Sequence, residues 1–189
     1  DEEDQALRVR LKATLFFDHA EGEGSQLEAV FNGMSPDVQS SPDAVLGHTY
    51  LKLAQGDVES ARDLMNVVSA RDDLATELAR VRSRTALASG ELEEALTFAQ
   101  NAVSQAPTAP RHVSWLALLT AQNGHASAGL STLAGIEGGA ELPNVRVVRA
   151  RILMESGSDF EGALREADVV IGSPSSQASN AEVGWAQLV

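Results

Sequence analysis

The side chains best suited to acid–base or metal chemistry near neutral pH are four histidines, His19, His48, His112 and His125. They are scattered along the chain, and none has a second histidine three or four residues on to complete a metal pair on one helix face. The adjacent carboxylates Asp72-Asp73 and Glu93-Glu94 stand at turns and helix starts, where negative charge is expected in any case. Serines are plentiful, yet none sits in a strand–turn–helix setting that would expose a nucleophile. There are no cysteines, which removes thiolate catalysis, disulfides and sulfur-based metal sites. Glu21-Gly22-Glu23-Gly24-Ser25 is glycine-rich but has no lysine after it and no strand before it, so it reads as a turn, not a phosphate loop. The expectation is a protein that is not an enzyme and carries no cofactor or metal.

What remains is a question of which elements the sequence builds. The clearest runs from Gly90 to Pro107, with Leu92, Ala95, Leu96, Ala99, Ala102 and Val103 at helical spacing. A turn glycine opens it, and a proline, which has no N–H to continue a helix, closes it. Gly56 precedes Gly90 by the same interval at which Gly124 follows it, and Ser158 takes the next equal step. Five residues beyond these positions stand Ala61, Ala95, Gly129 and Ala163. A fixed period of this size is the signature of stacked helix pairs, because each pair buries its apolar face only against its neighbours.

These residues resemble the tetratricopeptide repeat (TPR) family. Gly56-Asp57-Val58-Glu59-Ser60-Ala61 and Gly90-Glu91-Leu92-Glu93-Glu94-Ala95 look like that family's turn into its second helix, and Pro107 falls where its closing proline would. Gly129 stands in place of the small packing alanine, and Ser158 in place of the turn glycine. The resemblance implies an all-α, right-handed solenoid of antiparallel helix pairs, about five pairs plus a terminal helix, forming one domain over residues 1–189.

The approximate units are 5–35, 42–73, 74–107, 110–141 and 144–172, with the terminal helix at 178–189. In the first, Leu7, Val9, Leu11, Leu15 and Phe16 face Leu27, Val30, Phe31 and Met34. Pro42 can sit at the start of a first helix, where its missing N–H costs nothing, Leu142-Pro143-Asn144 starts another, and Pro107 and Pro110 fence a rigid connection. In the fourth unit Gly129, Gly135, Gly138 and Gly139 predict a short second helix that frays after Ile136, since each interior glycine costs about 0.5–1 kcal/mol against alanine. The last pair packs through Val145, Val148, Ile152 and Leu153, then Phe160, Ala163, Leu164, Ala167, Val170 and Ile171. The terminal helix carries Val183, Trp185 and Leu188.

The net charge of −13 argues against nucleic acid, whose phosphates demand clustered lysine and arginine. It is uneven: residues 1–75 hold 15 acidic and 6 basic side chains, residues 76–189 hold 12 and 8. No apolar run approaches the length that spans a bilayer. The opening Asp1-Glu2-Glu3-Asp4 lacks a signal-peptide pattern and reads as the start of a processed or excised piece, cytoplasmic or, with a leader removed, periplasmic. The preference for arginine over lysine suits a GC-rich bacterial genome.

In proteins of the resembled family, side chains about ten, nine and six residues before the turn glycine point into a concave, peptide-binding face. Those offsets select Arg80 and Arg84 before Gly90, Trp115 before Gly124 and Arg149 before Ser158, with Arg111 beside them. Arginine grips carboxylates in a bidentate fork and tryptophan offers a stacking face. The resemblance thus implies a protein-binding adaptor for a peptide or partner helix. Two other readings stay open: a chaperone holding a secreted or assembled client, and an interaction or self-association segment of a larger protein. An acidic face for a basic partner, centred on residues 1–75, is a separate one.

Overall fold

Eleven α-helices form among the described residues, and no strand does. The computed structural model describes residues 2–19, 24–68, 72–173, 182 and 186–187, without the side chains at 2–3 and 15–19. The expectations for the side chains of Leu15, Phe16 and His19, the turn at 21–23, and Val183, Trp185 and Leu188 of the terminal helix lie outside them. The helices are α1 (Glu2–His19), α2 (Gly24–Asn32), α3 (Pro36–Gln39), α4 (Pro42–Ala54), α5 (Val58–Val67), α6 (Ala75–Ala88), α7 (Leu92–Gln105), α8 (Pro110–Gln122), α9 (Ala126–Ala134), α10 (Pro143–Glu155) and α11 (Phe160–Ile171). They divide into two compact units, residues 1–95 and 96–189.

Short turns fold consecutive helices back on one another, and their chemistry is local. Gly56, Gly90 and Gly124 all take positive φ, the left-handed conformation that a side chain resists. The N–H two residues past each helix then bonds back into the last turn, as in Gly124 N–H to the Ala121 carbonyl. Asp57 and Asp159 cap α5 and α11 by accepting from the N–H groups of Ser60 and Gly162. Pro42 and Pro143 occupy first helical positions, as the sequence predicts, and so does Pro110, expected only to fence a connection.

The period breaks at its third step. The left-handed turn residue is Gly157, not Ser158, so the step from Gly124 is one residue short. Pro143 likewise follows Pro110 one residue early. The residue is lost in the loop after α9, where Gly138 turns left-handed and Gly139–Glu141 forms a single 3-10 turn. Ser158 is an extra turn residue that restores the regular interval between His125 and the cap at Asp159. The helix α9 is short, as expected, but it ends at Ala134, two residues before Ile136. The connection after Ser35 contains the one-turn helix α3, closed by Gln39 Nε2 donating to the carbonyls of Phe31 and Met34.

In the first unit α1 packs along α4. Leu7 and Leu11, expected to face the second helix of the first pair, are 38% and 52% exposed; Val9 is buried as expected, together with Ala6 and Ala13. The reason is the approach distance: a Cβ on Gly47 of α4 would lie 2.8 Å from the Arg10 Cα, so only small side chains fit between the two backbones. Val45, Leu46, Tyr50 and Leu51 of α4 then meet Leu78 and Val81 of α6 in one apolar cluster.

In the second unit α8, α9 and α10 share a cluster built on Leu118, Leu133, Val145 and Ile152. The repeated small positions are buried throughout: Ala61 and Ala95 at 0% exposure, Ala163 at 1%, and Gly129. A Cβ on Gly129 would sit 2.5 Å from the Ala117 carbonyl oxygen. Phe160 and Leu164, expected as packing residues of α11, are 61% and 51% exposed, while Ala163, Ala167 and Val170 form its buried face.

Gly129→Ala therefore separates propensity from packing. In a free helix it would gain close to about 1 kcal/mol. Here it is expected to destabilise the protein by about 1–3 kcal/mol, because backbone must move to admit the methyl group. Chemical denaturation at constant m-value checks this; a stabilised variant would show that α9 does not approach α8 so closely.

Candidate functional site

Arg80 does not present a free guanidinium. It is 4% exposed, and its Nη1 donates to the Tyr50 hydroxyl of α4 and, at 3.0 Å, to Glu77 Oε1 one turn earlier in α6. The Tyr50 hydroxyl in turn donates to the same Glu77 oxygen at 2.7 Å. The guanidinium carbon also lies 5.1 Å from the Tyr50 ring centroid, within cation–π range. Arg80 thus ties α4 to α6 from the inside, which corrects the expectation that it lines an accessible face. Arg84, one turn further along α6, is half-buried, as is Arg82.

In the second unit Arg111 is exposed at the start of α8, and Trp115 lies half-buried on the Leu118–Ile152 cluster. Ser114 accepts a 3.5 Å hydrogen bond from Asn144 Nδ2 of α10. Arg149 points to α11: its Nη1 lies 3.0 Å from Glu166 Oε1, and Arg146 Nη1 lies 2.8 Å from the other carboxylate oxygen. Two arginines of α10 thus share one carboxylate of α11. Measured from Gly157, the nine-residue offset falls on Val148, one residue before Arg149. The sequence pattern therefore brings Arg111 and Trp115 onto one helix and assigns Arg149 by a register that the turn does not keep.

Two features escaped the sequence reading. A cavity of about 550 Å³ opens between the α8–α9 turn and the end of α10, lined by Gln122, Gly124, Ala126, Ile152, Glu155 and Ser156 among others. None of the residues selected from the sequence lines it. The other is a polar cluster on α2 and α4. The His48 ring stacks on Phe31, centroids 3.8 Å apart, and its Nε2 is 3.5 Å from Glu28 Oε1. Lys52 Nζ reaches the same carboxylate oxygen at 3.0 Å. A lone histidine gives no sequence signal for such packing, because its partners come from another helix.

Of the other histidines, His112 is buried and His125 exposed. Among the described residues no group of three histidine, cysteine, aspartate or glutamate side chains is placed to hold a metal ion. No helix among them is long and apolar enough to cross a membrane.

With the geometry described, the chain can be set beside known proteins. A thermophilic TPR protein of Thermus thermophilus superposes with a TM-score of 0.73 at 18% identity, over 99% of this chain and 100% of that one. The fold is TPR-like. No family model matches the sequence, and no curated protein matches it. At this identity the likeness carries the TPR-like architecture alone, and the choice of contact residues is left to this chain's own surface.

Two tests follow from the buried polar groups. Arg80→Glu would place two carboxylates around the Tyr50 hydroxyl, and a loss of about 3–5 kcal/mol is expected in denaturant unfolding; an unchanged midpoint would mean the guanidinium is solvated. The second concerns pH. Burial pushes the His48 imidazole below its ordinary range, against the opposing pull of Glu28. Burial also works to raise the Glu28 carboxyl, but Lys52, with Gln55 and His48, outweighs it and holds the group below its ordinary value. Both folded-state values are depressed, so the unfolded chain takes up protons first and stability is lost as pH falls. The loss begins below the ordinary histidine value of 6.5 and continues below the ordinary glutamate value of 4.5. Thermal unfolding of His48→Gln should show a flatter pH dependence between those values than the parent; parallel curves would contradict the assignment.

Proposed function

We propose that this protein is an interaction scaffold that binds a peptide or partner helix through its first helices, with Arg84, Arg111, Trp115 and Arg149 as contact residues. Arg80 acts beneath them, holding α6 in place. The observation that carries the reading is the TPR-like fold along nearly the whole chain. In support, α8 offers an exposed arginine and a half-buried tryptophan one turn apart, and α10 offers an arginine-rich edge. Such a surface suits an acidic or carboxylate-bearing segment, because guanidinium groups bind carboxylates in a fork and tryptophan adds a stacking face. A second reading, a basic partner on the first unit, draws support from the exposed Glu59, Asp63, Asp72 and Asp73.

The test is a pull-down with the parent chain and the double variant Arg84→Glu/Arg111→Glu, both shown helical by circular dichroism. Arg80 is left intact because reversing it is expected to destabilise the fold itself. A partner bound by the parent and lost by the variant is expected; one retained equally by both would remove the contact residues from the account. A partner released by salt yet indifferent to the two substitutions would move binding to the acidic surface of the first unit.

A further inference from the structure

The first unit shows how this chain holds an ammonium group. Lys52 Nζ donates to Glu28 Oε1 at 3.0 Å and to Gln55 Oε1 at 3.4 Å, and Gln55 Nε2 donates to the other Glu28 oxygen at 3.3 Å. Gln55 closes α4, and Glu28 belongs to another helix, α2. The second unit brings the same two side-chain types to one place without a lysine, since both lysines of the chain, Lys12 and Lys52, lie in the first unit. Gln122 is the last residue of α8 and Glu155 the last of α10, and both line the cavity of about 550 Å³. Gln122 Oε1 is shielded from water and accepts no hydrogen bond among the described residues. Glu155 meets Arg151 Nε of its own helix, a contact at the surface, and a carboxylate offers about four acceptor sites in all. Ser156 sends its proton to the Leu153 carbonyl at 3.3 Å, so toward a ligand it can only accept. Two helix ends of partial negative charge, neither with a basic side chain in its last turn, border the cavity against one helix start, that of α9.

We propose that this cavity binds a primary ammonium on an alkyl stem, the chemistry of a lysine side chain. The three ammonium donors go to Gln122 Oε1, the Glu155 carboxylate and Ser156 Oγ, and the methylenes lie along Ala121, Ala126 and Ile152. The half-buried Gln122 amide turns about its soft last torsion to bring Oε1 to the ligand. Gly124 adds no side chain, and a Cβ there would meet nothing within 4 Å. An anion is opposed by Glu155 and by the net charge of −13, which draws cations instead. A metal ion is not the better occupant, because the described residues hold no group of three metal-ligating side chains. None of the contact residues proposed above takes part, so the two sites stand or fall separately.

The probe is the end-blocked peptide acetyl-Ala-Ala-Lys-Ala-Ala-amide, titrated into the isotope-labelled full chain and followed by NMR. Its control carries norleucine, which keeps the stem and lacks the charge. Saturable shifts of the Gly124, Ala126 and Ser156 amides are expected with lysine and not with norleucine. Gln122→Leu/Glu155→Gln should weaken binding by about tenfold or more at an unchanged unfolding midpoint, because hydrogen bonds from an ionised donor are the strong ones. Butylammonium chloride divides the sources of the ligand. Affinity equal to the peptide's assigns the cavity to free amines, tighter peptide binding assigns it to lysine within a chain, and both support the ammonium. Equal shifts from the norleucine peptide would overturn the proposal, as would the absence of any saturable shift in the parent or a double variant that binds like it.

Discussion

A small, buried residue recurs at the same station in the second helix of four successive pairs, and at one of them two backbones approach too closely to admit anything larger. Ala61, Ala95, Gly129 and Ala163 hold that station, five residues past the turn glycine in the first three cases and four past the cap at Asp159 in the last. At Gly129 the crossing is so tight that even a methyl group would strike the Ala117 carbonyl. Gly47 does the same for α1 on α4, and there the constraint decides which side chains are inside: alanines and a valine, with leucines outside. Close packing at these points sets where the larger residues can go. Leu46, Leu51, Leu119 and Ile152 are among the largest fully buried side chains, and Ile152 lies directly beside the crossing at Gly129.

Charge is used inside the fold as much as on its surface. Arg80, Tyr50 and Glu77 form a closed set of donors and acceptors between α4 and α6, which is the condition under which a buried guanidinium is tolerated. Arg10 with Asp43, Lys52 with Glu28, and Arg146 and Arg149 with Glu166 join neighbouring helices in the same way. Many of the basic side chains of this acidic protein are therefore committed to helix–helix contacts. The proposed contact residues are those on α6, α8 and α10 that leave part of a side chain accessible.

The pair architecture was legible because turns and crossings have short-range signatures: a glycine with positive φ, an aspartate or serine cap, a proline at the first helical residue, a small residue five further on. The shift from Ser158 to Gly157 was not, because the deletion that causes it lies in the glycine-rich loop after α9 and leaves the later caps in step. The burial of Arg80 was equally hidden. An arginine between apolar neighbours reads the same whether it faces solvent or a tyrosine on a distant helix, and only the packing of α4 on α6 supplies that partner. On α11, helical spacing groups Phe160 and Leu164 with Ala163 and Ala167 as one broad apolar face. Which half of that face is covered depends on elements elsewhere in the chain, so periodicity alone could not divide it.

The dependence on small residues at the crossings is tested most directly by thermal unfolding of Ala61→Leu and Ala163→Leu, one in each unit, beside Ser131→Leu on the exposed side of α9. Each crossing variant should lose about 1–3 kcal/mol or more through overpacking, while the surface variant stays within about 0.5 kcal/mol of the parent. Three indistinguishable transitions would show that the helices have room to spare at Ala61 and Ala163, and that the repeat is held by something other than close approach.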